Sequence, residues 1–167
     1  GFDAGMHAQA FPSFGSERTG APVVSFCRLS ESTIRNREPI VNPDGLIIQD
    51  ATLLKQIDVF SGLKSDGFVI INSRETLEAL DIPRETLNLN HVVAIPATDI
   101  ALEYVGRPVP NAVLLGGFAA LTHVISLEGV LEGISHKFKT KIAAANREAA
   151  TVAYEKVLEM MADVKTS

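Results

Sequence analysis

Up to Val105 the apolar residues come in short runs separated by turn residues; after Pro110 they recur at helical spacing. Val23 to Leu29 is a β-rich run, Ser30-Glu31-Ser32 is polar, and Thr33 to Arg37 resumes an alternating pattern. That order predicts a hairpin with a three-residue connection. Asn42-Pro43-Asp44-Gly45 is a strong turn signal. Leu46-Ile47-Ile48 follows as a wholly apolar run, which predicts a strand covered on both faces. Asp50 is placed to cap a short helix through Leu53 and Leu54. The unit then recurs: Gly67 to Ile71 reads as a strand, and Ser73 as the cap of a helix through Leu77 and Leu80. His91 to Ile95 is a third buried strand, followed by a helix over Pro96 to Val105. Strands alternating with helices predict an α/β fold with a mostly parallel sheet.

The remainder is read as helical. Pro110 to Leu121 is small and apolar, with Gly116-Gly117 permitting close approach. Ser126 can cap the next helix, whose Leu127, Val130, Leu131, Ile134 and Phe138 share one face. A last helix carries Ala150, Tyr154, Val157, Leu158 and Met161 at the same period. Both stripes are expected to pack a core. The whole predicts a three-layer α/β/α domain over residues 1–167, with a mostly parallel sheet plus a hairpin and a helical C-terminal part. The opening, Gly1 to Gln9, has neither an initiator Met nor a basic-then-apolar signal pattern. It reads as the end of a helix–turn, so the chain is expected to begin inside a longer unit.

Composition narrows the function classes. Apolar residues make up 46% and charged residues 21% of 167 residues, which is globular composition. The net charge of −5 argues against non-specific nucleic-acid binding. No apolar stretch reaches the length of a bilayer span. There is one cysteine, Cys27, which excludes an internal disulfide framework and a four-thiolate iron–sulfur cluster held by this chain alone. Its apolar setting (Val23, Val24, Phe26) predicts an inert core thiol, and a cytoplasmic setting is expected. The four histidines, His7, His91, His123 and His136, show no metal-ligand spacing.

Candidate chemistry concentrates between Phe11 and Pro22, in Phe-Pro-Ser-Phe-Gly-Ser-Glu-Arg-Thr-Gly-Ala-Pro. Arg18 can fork onto a carboxylate or phosphate, flanked by the hydroxyls of Ser16 and Thr19 and by Glu17. Gly15 and Gly20 permit positive φ or close backbone approach. The Gly15-to-Gly20 spacing is that of half a phosphate loop, but Ala21-Pro22 stands where Lys-Ser/Thr is needed and a strand follows where a helix is required. No Gly-x-Gly-x-x-Gly fingerprint exists in the chain, and neither Ser13 nor Ser16 sits in a nucleophile elbow. A surface loop closing a hairpin and a functional loop both remain open. Arg35 and Arg37 alternate, so on a strand they share one face: either a solvated edge or a basic strip for a phosphate or an acidic partner. Asn111, near the start of the small-residue helix, suits capping or anion contact.

The segment Gln9 to Pro22 resembles the signature of the gamma subunit, or gamma domain, of pyruvate and related 2-oxoacid:ferredoxin oxidoreductases. Its specific core is Glu17-Arg18-x-Gly20-Ala21-Pro22. The likeness continues through Ile34-Arg35 and Arg37, Asn42-Pro43-Asp44, Asp50 with Leu53-Leu54, Gly62-Leu63, Asp66-Gly67 and Ile71-Asn72. Further along come Ala97-Thr98-Asp99-Ile100-Ala101, Pro110-Asn111 through Leu114-Leu115-Gly116, Ala144-Ala145-Asn146 and Ala153-Tyr154. One departure stands out. The family's opening strand, glycine-rich turn and helix, a unit of up to about 30 residues, is not found in this sequence.

The resemblance implies a multi-subunit enzyme that converts a 2-oxoacid and coenzyme A to acyl-CoA, carbon dioxide and reduced ferredoxin. Thiamine diphosphate with Mg²⁺ and [4Fe–4S] clusters do that chemistry in other subunits, of alpha, beta and delta type. No such cofactor is expected on this chain, and no catalytic residue. Ferredoxin or another acceptor would be met through the complex. Ser16, Glu17, Arg18, Gly20, Arg35, Arg37 and Asn111 are the implied contacts to coenzyme A or a neighbouring subunit. A stand-alone nucleotide-binding α/β protein, a purely structural subunit, and a complex acting on a branched-chain or aromatic oxoacid are the rival expectations.

Overall fold

The computed structural model describes residues 5–13 and 22–166. The chain opens with β1 (His7–Ser13), which pairs antiparallel with β2 (Val24–Ser30) in the register His7↔Ser30 to Ser13↔Val24. The hairpin expected from the sequence therefore has a different partner. Thr33 to Arg37 carries no strand, and β2 pairs backwards onto His7–Ser13. The alternating Ala-Gln-Ala-Phe of β1 is a weak strand signal because alanine has little preference for a pleated surface. That same strand replaces the helix–turn expected up to Gln9. Cys27 also departs from expectation. It is exposed, on a ribbon of two strands that no other element covers on that face among the described residues.

A second, three-stranded sheet consists of β3 (Gly45–Ile48), β4 (Phe68–Asn72) and β5 (Val92–Ile95) in spatial order β3-β4-β5, all parallel. The three apolar runs are the strands expected from the sequence. Central β4 is covered on both sides, so its run needs no polar alternation. Val69 and Ile71 face one cluster with Ile48, Val92, Leu80, Ile82 and Leu87. Ile70 faces the other, with Ile95, Leu114, Leu121 and Val157. Fully burying a side chain of this kind, as at Val69, Ile70, Ile71 and Ile95, contributes roughly 1.5–3 kcal/mol of transfer free energy.

Helices cover that second face. They are α1 (Ala97–Val105), α2 (Asn111–Thr122), α3 (Leu127–Lys137) and α4 (Thr140–Thr166). Helix α1 follows Pro96 and stops at Gly106, whose φ of 76° is left-handed. Ser126 caps α3, its Oγ accepting from the Gly129 N–H at 3.0 Å. Gly116 and Gly117 fix the layering. A Cβ on Gly116 would lie 2.2 Å from the Ala150 carbonyl oxygen of α4, and one on Gly117 would lie 2.6 Å from Ile70 Cδ1 of the sheet. Two adjacent glycines thus let α2 slide between α4 and the sheet.

The opposite face is covered by turns. Asp50 caps a 3₁₀ turn, Ala51–Lys55, as the sequence suggested. The helix expected from Ser73 is absent. Ser73 Oγ accepts from the Glu75 N–H at 3.0 Å, Thr76 Oγ1 from the Ala79 N–H at 3.3 Å, and Asp81 turns left-handed at φ 55°. These local bonds compete with helix propagation, and Pro83 follows too soon for a second turn. The architecture is the expected mixed α/β: helices on one side of a parallel sheet, turns on the other, and a hairpin beside them.

Candidate functional site at the carboxyl edge of the sheet

The carboxyl ends of β4 and β5 open onto a cleft of about 260 Å³ lined by Asn72, Ser73, Arg74, Pro96, Thr98 and Asp99. Ser73 also lines a second cleft of about 300 Å³, with Thr52, Lys55, Gln56 and Glu75 around it. Crevices outside the carboxyl ends of parallel strands are where α/β sheets hold ligands.

Asn72 organises this edge. Its amide nitrogen donates to the Gln49 carbonyl at 3.0 Å and to Thr98 Oγ1 at 2.8 Å, and its carbonyl oxygen accepts from the Thr98 N–H at 3.1 Å. One side chain thereby joins the exit of β3, the end of β4 and the first turn of α1. Beside it, Arg74 Nε donates to Asp99 Oδ2 at 2.6 Å, and Arg74 Nη2 donates to Asp99 Oδ1. That fork holds the Asp99 carboxyl below the usual carboxylate range and raises the Arg74 guanidinium. Asp50, in the 3₁₀ turn, is lowered chiefly by the hydroxyl of Thr52, which donates at 2.7 Å, and further by the Thr52 N–H.

This edge offers a guanidinium fork, an amide, hydroxyls and a carboxylate. The lining residues include no His or Cys to pair as base and nucleophile. Groups of this kind can bind and orient a polar ligand. Among the described residues no group of three His, Cys, Asp or Glu side chains is placed to hold a metal ion. With a single cysteine in the chain, the donor set does not fit an iron–sulfur cluster.

The residues singled out in the sequence lie elsewhere. Ser16, Glu17, Arg18 and Gly20 fall outside the described residues. Arg35 and Arg37 are exposed, but not on a strand. They flank Asn36, whose carbonyl accepts from Arg28 Nη1 at 3.4 Å, while Arg28 Nη2 donates to the Glu38 carbonyl at 2.5 Å. Arg28 also meets Gln9 Oε1 at 3.3 Å and lies 5.6 Å from the Phe11 ring centre, so it ties this segment to the β1–β2 ribbon. Asn111 is the exposed first residue of α2, preceded by Pro110, and no side-chain cap forms there. None of these three residues lines the clefts. Asn72, Arg74, Thr98 and Asp99 carry no motif that marks them as site residues in the sequence. Their signal was positional: polar residues directly after a buried strand and in the first turn of a helix that follows one.

His91 has a structural place. Its Nδ1 lies 2.7 Å from the Asp66 carbonyl and its ring stacks on Phe68 with centres 4.4 Å apart. Among the described residues no helix is long and apolar enough to cross a membrane.

Known proteins place the chain. Residues 1–156 match the family model described as pyruvate ferredoxin/flavodoxin oxidoreductase. The chain is 42% identical over 156 residues to the pyruvate synthase subunit PorC of Methanothermobacter thermautotrophicus, covering 93% of this chain and 82% of that one. It is 38% identical over 155 residues to the common subunit gamma of the pyruvate/ketoisovalerate oxidoreductases of Pyrococcus abyssi, covering 93% and 83%. The crystal structure of pyruvate oxidoreductase subunit PORC from Thermotoga maritima superposes with a TM-score of 0.75 at 32% identity, over 92% of this chain and 82% of that one. Matches of this extent, together with the parallel sheet, hairpin and helical C-terminal part, lead to one assignment: the chain belongs to the pyruvate ferredoxin/flavodoxin oxidoreductase family, among its gamma-type subunits.

Proposed function

We propose that this chain is the non-cofactor-bearing gamma subunit of a multi-subunit 2-oxoacid:ferredoxin oxidoreductase. In the complex, pyruvate or a related 2-oxoacid and coenzyme A give acyl-CoA and carbon dioxide, and the electrons pass to ferredoxin. Thiamine diphosphate with Mg²⁺ and [4Fe–4S] clusters belong to the partner subunits of alpha, beta and delta type. The observation that carries this reading is the likeness to pyruvate synthase subunits along residues 1–156. Choice of oxoacid is assigned to the thiamine-bearing subunits. A gamma subunit common to pyruvate and ketoisovalerate enzymes in Pyrococcus abyssi fits a chain that does not select the substrate.

Within the complex the chain supplies assembly contacts and engages coenzyme A. Arg35 and Arg37 support that role. Both guanidiniums are exposed and make no ion pair among the described residues, so they are available to phosphate oxygens. Arg18, with Ser16, Glu17 and Gly20, is added from the family signature, and Asn111 from its place at the start of α2. The experiment uses the assembled complex carrying Arg35→Ala/Arg37→Ala or Arg18→Ala. The Michaelis constant for coenzyme A is expected to rise several-fold, with that for the oxoacid unchanged. Unchanged coenzyme A kinetics in both variants would remove coenzyme A engagement from this chain. Purification of the chain without larger subunits would remove the subunit role itself.

A further inference from the structure

Arg28, on β2, directs its half-buried guanidinium onto neutral oxygens. Nη1 meets Gln9 Oε1 at 3.3 Å and the Asn36 carbonyl at 3.4 Å, and Nη2 donates to the Glu38 carbonyl. The same head lies over the Phe11 ring, so it is seated on β1 as well. Arg28 makes no ion pair among the described residues. A second hold acts on the same stretch. Asn36 Oδ1 accepts from the Glu38 N–H at 2.8 Å, a local turn that asparagine forms readily. Pro39 follows and restricts Glu38 toward extended backbone. These bonds fall on three consecutive peptide groups. The Asn36 C=O belongs to the group between residues 36 and 37, the Glu38 N–H to the next, and the Glu38 C=O to the one after. Arg37 therefore stands between two planar groups that are both held, which constrains its φ and ψ together. The group joining Arg35 to Asn36 lies one step outside this set.

We infer that Arg28 is a positioning residue for Arg37: it fixes the backbone from which the Arg37 guanidinium reaches the phosphate groups of coenzyme A. The inference rests on the reading that this chain engages coenzyme A through Arg35 and Arg37, and it adds which of the two is aimed and by what. A long side chain on a loose turn gives up backbone as well as rotamer freedom when it is immobilised. With the turn held in advance, only the side chain remains to be ordered, so affinity is gained without a further contact to the ligand. Carbonyl acceptors suit that task. A carboxylate partner for Arg28 would cancel positive charge beside Arg37, whereas main-chain oxygens leave it in place for an anionic ligand. Gln9 and Phe11 on the other side of the head refer the turn to a paired strand.

The test is a double-mutant cycle on steady-state kinetics of the assembled complex. Arg28→Ala is expected to raise the Michaelis constant for coenzyme A about threefold or more, a coupling ordinary for groups that act through one another. The kcat and the Michaelis constant for the oxoacid are expected to stay as in wild type, which a general loss of folding or assembly would not allow. In an Arg37→Ala background, Arg28→Ala is expected to add nothing further. Asn36→Ala removes the turn bond but leaves the Arg28 side chain in place; it should act in the same direction, again only while Arg37 is present. If Arg28→Ala does not assemble, Asn36→Ala decides by the same two criteria. Arg28→Ala and Arg37→Ala that raise the constant independently, by factors that multiply, overturn the positioning role. So does an Arg37→Ala effect that neither Arg28→Ala nor Asn36→Ala reproduces, and both results leave coenzyme A engagement intact. Arg37→Ala without effect on coenzyme A removes Arg37 from that reading and the positioning role with it.

Discussion

Asn72, the last residue of β4, and Thr98, in the first turn of α1, exchange two hydrogen bonds, amide to hydroxyl at 2.8 Å and N–H to amide oxygen at 3.1 Å. With the third bond to the Gln49 carbonyl, Asn72 spans three elements. Asn72→Ala removes all three and leaves part-buried groups without their partner. The expected loss is about 1–3 kcal/mol, read from urea unfolding of the chain. Asn72→Asp keeps the acceptor for Thr98 N–H and loses both donors, so it should fall between alanine and wild type. An alanine variant within about 0.5 kcal/mol of wild type would mean that the edge holds without this clamp.

Gly116 and Gly117 should respond unequally to one added methyl. On Gly116 it would strike the Ala150 backbone of α4 at 2.2 Å, and backbone cannot rotate away. On Gly117 the neighbours are side-chain methyls of Ile70, Ile95 and Val157, which can shift rotamer. Gly116→Ala is therefore expected to cost about 3 kcal/mol or more, and Gly117→Ala about 1–2 kcal/mol. Thermal unfolding of the two variants gives the ranking, and the reverse order would contradict the packing described.

The Arg74–Asp99 fork makes a signed pH prediction. Because the folded carboxyl titrates below its unfolded value, which is near 4, the pair's contribution is present above that value. It is lost as pH falls through the depressed folded pKa. Arg74→Ala should move the Asp99 titration upward toward the ordinary range, as followed by carboxyl-carbon NMR. The difference in unfolding midpoint between wild type and variant should shrink as the pH is lowered, and also in high salt, since both side chains are solvent-accessible. A midpoint difference independent of pH would show that Arg74 acts through packing instead.

How far the fold could be read from sequence depended on what each segment asks of its neighbours. β3, β4 and β5 were legible because a run such as Phe68-Val69-Ile70-Ile71, covered on both faces, leaves a continuous apolar stretch. The helical stripes were legible because one burial face repeats along them, Val130 and Ile134 in α3, Ala150 and Val157 in α4, although Leu158, read into the same stripe, is exposed. The ribbon was not, because β1 buries nothing and hence leaves no apolar alternation to find. The turns after Ser73 imitated a helix, since a capping serine with leucines at Leu77 and Leu80 satisfies one helical turn as well as several. The carboxyl edge was hidden for a different reason. Asn72 and Thr98 lie 26 residues apart, and only the parallel pairing of β4 with β5 makes them neighbours.

His123 closes α2 in the left-handed conformation, at φ 54°, with its N–H donating to the Ala119 carbonyl. A side chain with a Cβ is held in that region at a cost of about 1–2 kcal/mol. The ring is exposed, so burial does not offset that cost. Glycine accepts the same φ without the steric penalty, but it raises the entropy of the unfolded chain by about 0.4–1 kcal/mol. The balance favours substitution. His123→Gly is expected to stabilise the chain by about 0.5–1 kcal/mol, and His123→Val to destabilise it, since a β-branched side chain tolerates positive φ least. Chemical denaturation of the two variants beside wild type gives the test. A destabilised glycine variant would show that the His123 ring contributes more to the α2 terminus than its exposure suggests.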